Sequence, residues 1–311
     1  MNGVININKP EVWTSQDVCA KLRSRLHIRK IGHTGTLDPM ATGVLPVCIG
    51  KATRIIEYYD ADCKSYHATM KLGITTDTLD ITGEVLNTAS YSNVSENDVR
   101  EAFRAYTGRV SQLPPKYSAL KVDGKRAYEL AREGVEFELK AREIEIFSND
   151  IRRLDLGAGE IEFDVNCSKG TYIRTICDDI GRSLGCGAAM SSLCRTASGF
   201  FKIEDSTDIE TLCAMADDEI ASRIIPADKT LINLGVVTLD DNRANAFING
   251  NTSSARCYEI HDRPNYKDYY KVYGGLSTKC DSSAEHARFL GIATIVNSEL
   301  KPVKVMAEIL R

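Results

Sequence analysis

From residue 160 to 167 the chain alternates without a break. Ile161, Phe163, Val165 and Cys167 are interleaved with Glu160, Glu162, Asp164 and Asn166. Strand side chains point to opposite faces in turn, so this run predicts a half-buried strand. A few residues later the period changes. Ile173, Ile176, Cys177, Ile180 and Leu184 form one helical stripe, and Gly185 and Gly187 mark its stop. The same two periods recur elsewhere. Gly3 to Ile7 reads as a short strand ending at Lys9-Pro10. Ser15 is placed to cap a helix whose apolar positions are Val18, Leu22 and Leu26. Val44 to Ile49 is a short buried strand, and Tyr66, Ala68, Met70 and Leu72 line one face of another. Residues 95–107 read as a helix carrying Val99, Phe103 and Tyr106. There is no regular strand–helix–strand rhythm, so the expectation is an α+β fold rather than a doubly wound sheet.

At 311 residues the chain is long enough for two domains. Composition shifts between Ala221 and Leu239. Beyond that point short apolar runs at 270–273, 289–296 and 303–309 are divided by Gly, Ser and Asp. We therefore expect domains at 1–230 and 231–311, the second small and β-rich. Hydrophobic residues make up 43% and charged residues 26%, as in soluble globular proteins. No apolar run approaches the roughly 18 residues of a membrane span. No basic segment followed by an apolar block opens the chain. The expectation is a cytoplasmic protein without membrane partners.

Ten cysteines are present, none spaced as in a zinc or thioredoxin-like motif, so neither metal nor disulfide is expected. Asp77 to Gly83 faintly resembles a calcium loop, but Leu79 and Ile81 stand where oxygen ligands would be needed. The net charge of −4 hides segregation. Lys21, Arg23, Arg25, His27, Arg29 and Lys30 cluster before residue 32, while Asp217-Asp218-Glu219 and Asp240-Asp241 lie far along the chain. Such a cluster is either a solvated helix face or a phosphate-binding patch.

Directly after it comes Gly32-His33-Thr34-Gly35-Thr36-Leu37-Asp38-Pro39-Met40-Ala41-Thr42-Gly43-Val44-Leu45. Pro39 disfavours the helical region for Asp38, and three glycines allow tight turns and close approach to a ligand. Two readings stay open: an ordinary Asp-Pro turn, or a carboxylate presented as nucleophile or base.

This run resembles the catalytic motif of the TruB family of tRNA pseudouridine synthases. Four further segments follow in that family's order: residues 3–10; Lys64-Ser65-Tyr66 with Gly73 to Thr78; Tyr117-Ser118-Ala119-Leu120-Lys121; and Cys167 to Thr175. The likeness is strong over about 1–230 and looser beyond. It implies a mixed, mainly antiparallel sheet flanked by helices, followed by a PUA-like β-barrel to which residues 246–250 and 289–293 are similar. It implies isomerisation of uridine 55 in the T-loop of tRNA, with the tRNA T-arm as partner, no cofactor and no metal. The protein is expected to be a monomer.

The resemblance also assigns roles. Asp38 becomes the nucleophile, attacking either uracil C6 or ribose C1′. A nucleophilic carboxylate in a closed site needs a cationic neighbour, and Arg174 matches that position; the alternative is an exposed helix charge, but its place beside Tyr172 on a turn from a buried strand favours the site. Tyr66 matches the active-site tyrosine; its alternation alone would make it core. Tyr172 and Leu193 would contact the reacting nucleotide, and His33 would stack within the refolded RNA loop. Lys9 and Arg54 would touch phosphates or the active loop, or else be solvated charges. The basic segment at 121–132, within a loop over about 114–135, would grip RNA. Competing readings are a non-catalytic RNA-folding protein on this scaffold, a guide-directed synthase and a metal-dependent hydrolase.

Overall fold

The computed structural model describes residues 1–61, 63–265, 267–274 and 288–307. Its larger sheet runs in the order Thr207–Asp208, Gly3–Lys9, Thr42–Ile49, Ala188–Ser198, Lys64–Leu72, Glu160–Cys167, Arg142–Asp155 and Gly108–Gln112. Two pairings are parallel, Gly3–Lys9 with Thr207–Asp208 and Thr42–Ile49 with Ala188–Ser198; the others along this path are antiparallel. The α+β expectation holds.

The alternating strand behaves as its pattern requires. Ile161, Phe163, Val165 and Cys167 are buried. Their acidic neighbours form an outward ladder, in which Glu160 meets Lys71, Glu162 meets Arg153, and Asp164 meets both His67 and Arg152. Helices cover the apolar face. Val18, Cys19 and Leu22 come from Ser15–Leu26, Val99 and Phe103 from Glu96–Ala105, and Ile173, Ile176, Cys177 and Ile180 from Ile173–Ser183. Phe103 meets Phe163 edge-to-face, with ring centroids 5.2 Å apart. Each such large side chain stabilises the fold by about 1.5–3 kcal/mol relative to exposure.

Two local expectations need correction. The first helix is capped by Thr14, not Ser15. Thr14 accepts from the Asp17 backbone N–H, and the Asp17 carboxylate accepts from the Thr14 N–H, a capping box that leaves Ser15 free for other work. The 121–132 segment is not irregular. Lys121–Val122 pairs with Lys125–Arg126 through an Asp123-Gly124 turn with φ of 48° and 89°, and the helix Ala127–Arg132 follows. Asp-Gly with two positive φ angles is a favoured hairpin connection.

The second sheet runs Ser253–Ser254, Glu299–Val305, Arg288–Val296, Tyr269–Gly274, Gly235–Leu239 and Tyr258–Asp262. It curls around the Asp241–Ile248 helix, whose Ala244 and Phe247 are buried beneath it. The apolar run at 303–309 contributes its first residues to the Glu299–Val305 strand; residues 308–309 lie outside the described ones. The two sheets are joined by a shared apolar cluster. Val4, Val44, Cys48 and Ile55 pack with Leu231, Leu234 and Ile292. Among the described residues no helix is long and apolar enough to cross a membrane.

Candidate active site

The Asp38 loop leaves the Ile31–His33 strand and re-enters the sheet at Thr42–Ile49. The Ala41 N–H donates to the Asp38 carbonyl at 3.0 Å, so Asp38-Pro39-Met40-Ala41 is a genuine β-turn with proline at its second position. The turn reading of the Asp-Pro pair therefore holds for the backbone, and the carboxylate projects to Arg174. Of the three glycines, only Gly43 has a positive φ, 100°. A methyl group there would sit 2.3 Å from the Arg195 carbonyl oxygen. Gly43 permits strand contact; Gly32 and Gly35 lie outside the left-handed region.

Four side chains lock this loop from below. Ser15 accepts from the Leu37 N–H at 2.9 Å and donates to the Leu37 carbonyl at 3.2 Å. Lys9 is fully buried and donates to the carbonyls of Pro10, Trp13 and Pro39 at 2.8, 2.6 and 3.2 Å. Burial pushes its amine down to about 8, with Asp38 the largest opposing influence. Lys9 thus holds the active loop rather than reaching phosphate. Arg195, also buried, donates to the Val44 carbonyl at 2.7 Å and the Gly35 carbonyl at 3.2 Å, gripping both flanks.

Arg174 is the fourth. One guanidinium nitrogen lies 2.9 Å from an Asp38 carboxylate oxygen, and the other 3.7 Å from Asp80. The same group donates to the carbonyls of Thr78 at 2.9 Å and Tyr117 at 3.0 Å. Its side chain is only 5% exposed, against 37% for Asp38. The cation is buried and the carboxylate faces solvent. Asp80 is held in turn by the hydroxyls of Thr78 and Thr82 and the Thr82 N–H. The would-be calcium loop is therefore a support for Arg174. Gln112 fixes the start of the Ile173–Ser183 helix by accepting from the Tyr172 N–H and donating to its carbonyl.

Tyr66 stands opposite Arg195 in register across the strand pair, and the buried guanidinium is among the charges acting on its hydroxyl. Burial pushes its hydroxyl up to about 12, so it is a neutral phenol at ordinary pH, and Asp38 is among the charges acting on it. Tyr172 likewise has its hydroxyl raised by burial and feels Arg174 and Asp38. Leu193 is buried on the same strand as Arg195, opposite Ala68. His33 donates or accepts with Gln16 at 3.2 Å, and burial followed by Arg195 holds its ring below the usual histidine range.

Arg54 is not part of this group. It donates to the Val305 carbonyl at 2.6 Å, fastening the smaller sheet to the larger. Arg25 is equally engaged elsewhere, with Asp217 at 2.7 Å and the carbonyls of Cys213 and Met215 at 2.9 and 2.6 Å. Arg23 donates to the Ile31 carbonyl. Lys21, His27, Arg29 and Lys30 remain exposed. Beyond Arg174 lies a cavity of about 1020 Å³ bounded by the 113–117 and 131–138 segments and by Leu79 and Thr175; its lining does not include Asp38.

Asp80, Arg195, Ser15 and Gln112 were not expected beside Asp38, and Arg195 and Gln112 carry no warning in the linear pattern. Asp80 sits between apolar Leu79 and Ile81, and that flanking was the one signal that its loop serves the interior.

Residues 23–173 match the TruB family pseudouridylate synthase (N terminal domain), and residues 174–232 match the tRNA pseudouridylate synthase B C-terminal domain. Among similar proteins, tRNA pseudouridine synthase B of Clostridium kluyveri is 42% identical over 98% of this chain and 99% of its own length. Its namesake in Alkaliphilus oremlandii is 44% identical over 81% and 82%. In fold, the chain is similar to one in a solved Cbf5-Nop10-Gar1 complex, with a TM-score of 0.73 at 24% identity, covering 98% of this chain and 84% of that one. With this loop, this ion pair and relatives of this closeness over nearly its whole length, the chain belongs to the TruB family of pseudouridylate synthases.

Proposed function

We propose that the protein isomerises uridine 55 in the T-loop of tRNA to pseudouridine, with Asp38 as covalent catalyst. The observation that carries this reading is the Asp38–Arg174 pair: a part-exposed carboxylate oxygen 2.9 Å from a buried guanidinium that three other acceptors, Asp80 and the Thr78 and Tyr117 carbonyls, hold in place. Relatives named tRNA pseudouridine synthase B at 39–44% identity support tRNA as the substrate.

The reaction breaks the bond between ribose and uracil N1, which takes up a proton, and joins the same ribose to uracil C5, which loses one. Nothing is gained or lost overall. Asp38 supplies the electron pair, at C6 or at C1′, and holds one fragment while the other turns. Arg174 fixes the direction of that oxygen. The uridine must leave its stack to reach Asp38, at a cost of a few kcal/mol. Tyr66, Tyr172 and Leu193 offer the ring faces and apolar surface that offset the loss. Basic side chains of the 114–135 segment, Lys121, Lys125, Arg126 and Arg132, would meet phosphates. Catalysis in this reading requires no cofactor and no metal, and the protein acts as a monomer. Residues 1–230 form the catalytic domain, and residues 231–311 a PUA-like module that extends the RNA contact.

Incubation with unmodified tRNA, followed by nucleotide-resolution mapping, tests the reading. Pseudouridine at position 55 supports it; modification elsewhere only, or none, refutes it.

A further inference from the structure

Among the described residues, Val12 is the one β-branched side chain at a positive φ, 73°. In that region Cβ crowds the following carbonyl, and for a β-branched residue the conformation is an outlier. Packing does not compensate. Val12 is 80% exposed, more than any other large apolar residue described. Its backbone is held from both sides instead. The Val12 N–H donates to the Pro39 carbonyl at 2.8 Å, and the Lys9 amine ties down the carbonyls of Pro10 and Trp13. Glycine or asparagine would make the same backbone bond with less strain. The valine side chain is thus more than the turn itself needs, and strain of this kind gathers at functional sites.

The turn adjoins the Asp38 loop at two points. Pro39, its backbone partner, directly follows Asp38, and Gln16, four residues beyond Val12, meets His33 at 3.2 Å. Pro39 and Gln16 are exposed, as Val12 is. We propose that Val12 is a substrate-contacting residue, its isopropyl group packing on the ribose and base face of a nucleotide next to the flipped uridine. The claim rests on the proposed function and adds a contact to it. Extruding a base uncovers apolar surface on its neighbours, and apolar side chains are suited to covering it. Phosphate is not the target. The side chain has no donor, and its neighbour Glu11 is exposed and acidic, which repels a phosphate backbone.

The test compares wild type, Val12→Asn and Val12→Ile, with kcat and KM measured on unmodified tRNA and stability followed by thermal melts. Asparagine is close to valine in size, tolerates a positive φ and lacks the apolar surface. Val12→Asn should melt no lower than wild type, while KM rises about fivefold or more and kcat stays within about twofold, the pattern of a lost binding contact. Val12→Ile keeps both the apolar surface and the strain, and should restore KM to within about twofold of wild type. A Val12→Asn with unchanged KM overturns the proposal. So does a Val12→Asn that melts several degrees lower, because the side chain would then be serving the fold. An equal rise of KM in both variants also overturns it, since apolar surface would not be what the RNA meets. The wild-type control separates the two ideas: absence of pseudouridine at position 55 refutes the function, whereas an active wild type with an indifferent Val12→Asn refutes only the contact.

Discussion

The floor beneath Asp38 and the rim formed by residues 113–138 are built on opposite principles. On the floor, Lys9, Ser15, Arg174 and Arg195 are buried, and each holds backbone carbonyls or N–H groups at fixed distances. On the rim, Lys121, Lys125 and Arg126 are exposed, and the Ala127–Arg132 helix buries only Ala127 and Leu130. Buried polar networks rigidify; segments with few buried apolar contacts open cheaply. Bond rearrangement needs the first property, while adapting to a folded RNA needs the second.

The sharpest way to break this contrast is at Asp38. Asp38→Asn keeps shape and removes the proposed nucleophile, so turnover should fall by about a thousandfold or more while tRNA affinity stays near that of wild type. Substantial product from the variant, measured by pseudouridine mapping, would remove Asp38 from its role. Gly43→Ala comes next. Its methyl would meet the Arg195 backbone at 2.3 Å in a strained conformation, and stability should drop by on the order of 3 kcal/mol; a urea midpoint within error of wild type would contradict the locked floor.

The rim should respond differently. Lys125→Ala with Arg132→Ala should leave kcat near wild type and reduce the salt dependence of tRNA binding by roughly one slope unit per lost phosphate contact. An unchanged slope would return both residues to solvent. Arg25→Ala, by contrast, should leave binding and its salt slope alone and cost stability by at most about 1 kcal/mol, its ion pair being largely exposed on the Asp217 side.

The smallest effect concerns pH. The Lys9 amine is depressed to about 8 from an ordinary value of 10.5. Between those values the unfolded chain binds more protons than the folded one, so this group makes stability rise with pH. Below about 8 both states are protonated and the contribution is flat. Urea midpoints of wild type and Lys9→Met compared from pH 7 to 10.5 should diverge with that sign; parallel profiles would place Lys9 outside the buried network.

Legibility in the sequence followed periodicity and local chemistry. The 160–167 strand and the 173–183 helix were readable because one face of each is uniformly apolar. The Ala188–Ser198 strand, which carries Leu193 and Arg195, was not. Its Ala, Ser and Thr side chains give no contrast between faces, since the strand lies between two others in the middle of the sheet. Arg142–Asp155 was hidden by two register shifts that break its alternation. Asp38 stood out through its loop and Arg174 through family likeness. Asp80 and Arg195 act across sequence separations of 94 and more than 100 residues, which no local pattern encodes. The basic cluster at 21–30 overstated its case: two of its arginines are consumed within the protein, one of them by acceptors nearly two hundred positions away.

The apolar cluster shared by the two sheets has an evolutionary corollary. Because Val4, Ile55 and Tyr58 rest on Leu234 and Ile292, the smaller unit cannot be lost by a simple truncation without leaving a greasy scar on the larger one. Lineages that shed or exchange it should carry compensating polar substitutions at Val4, Ile55 and Tyr58, whereas those that keep it are free to vary its outer surface.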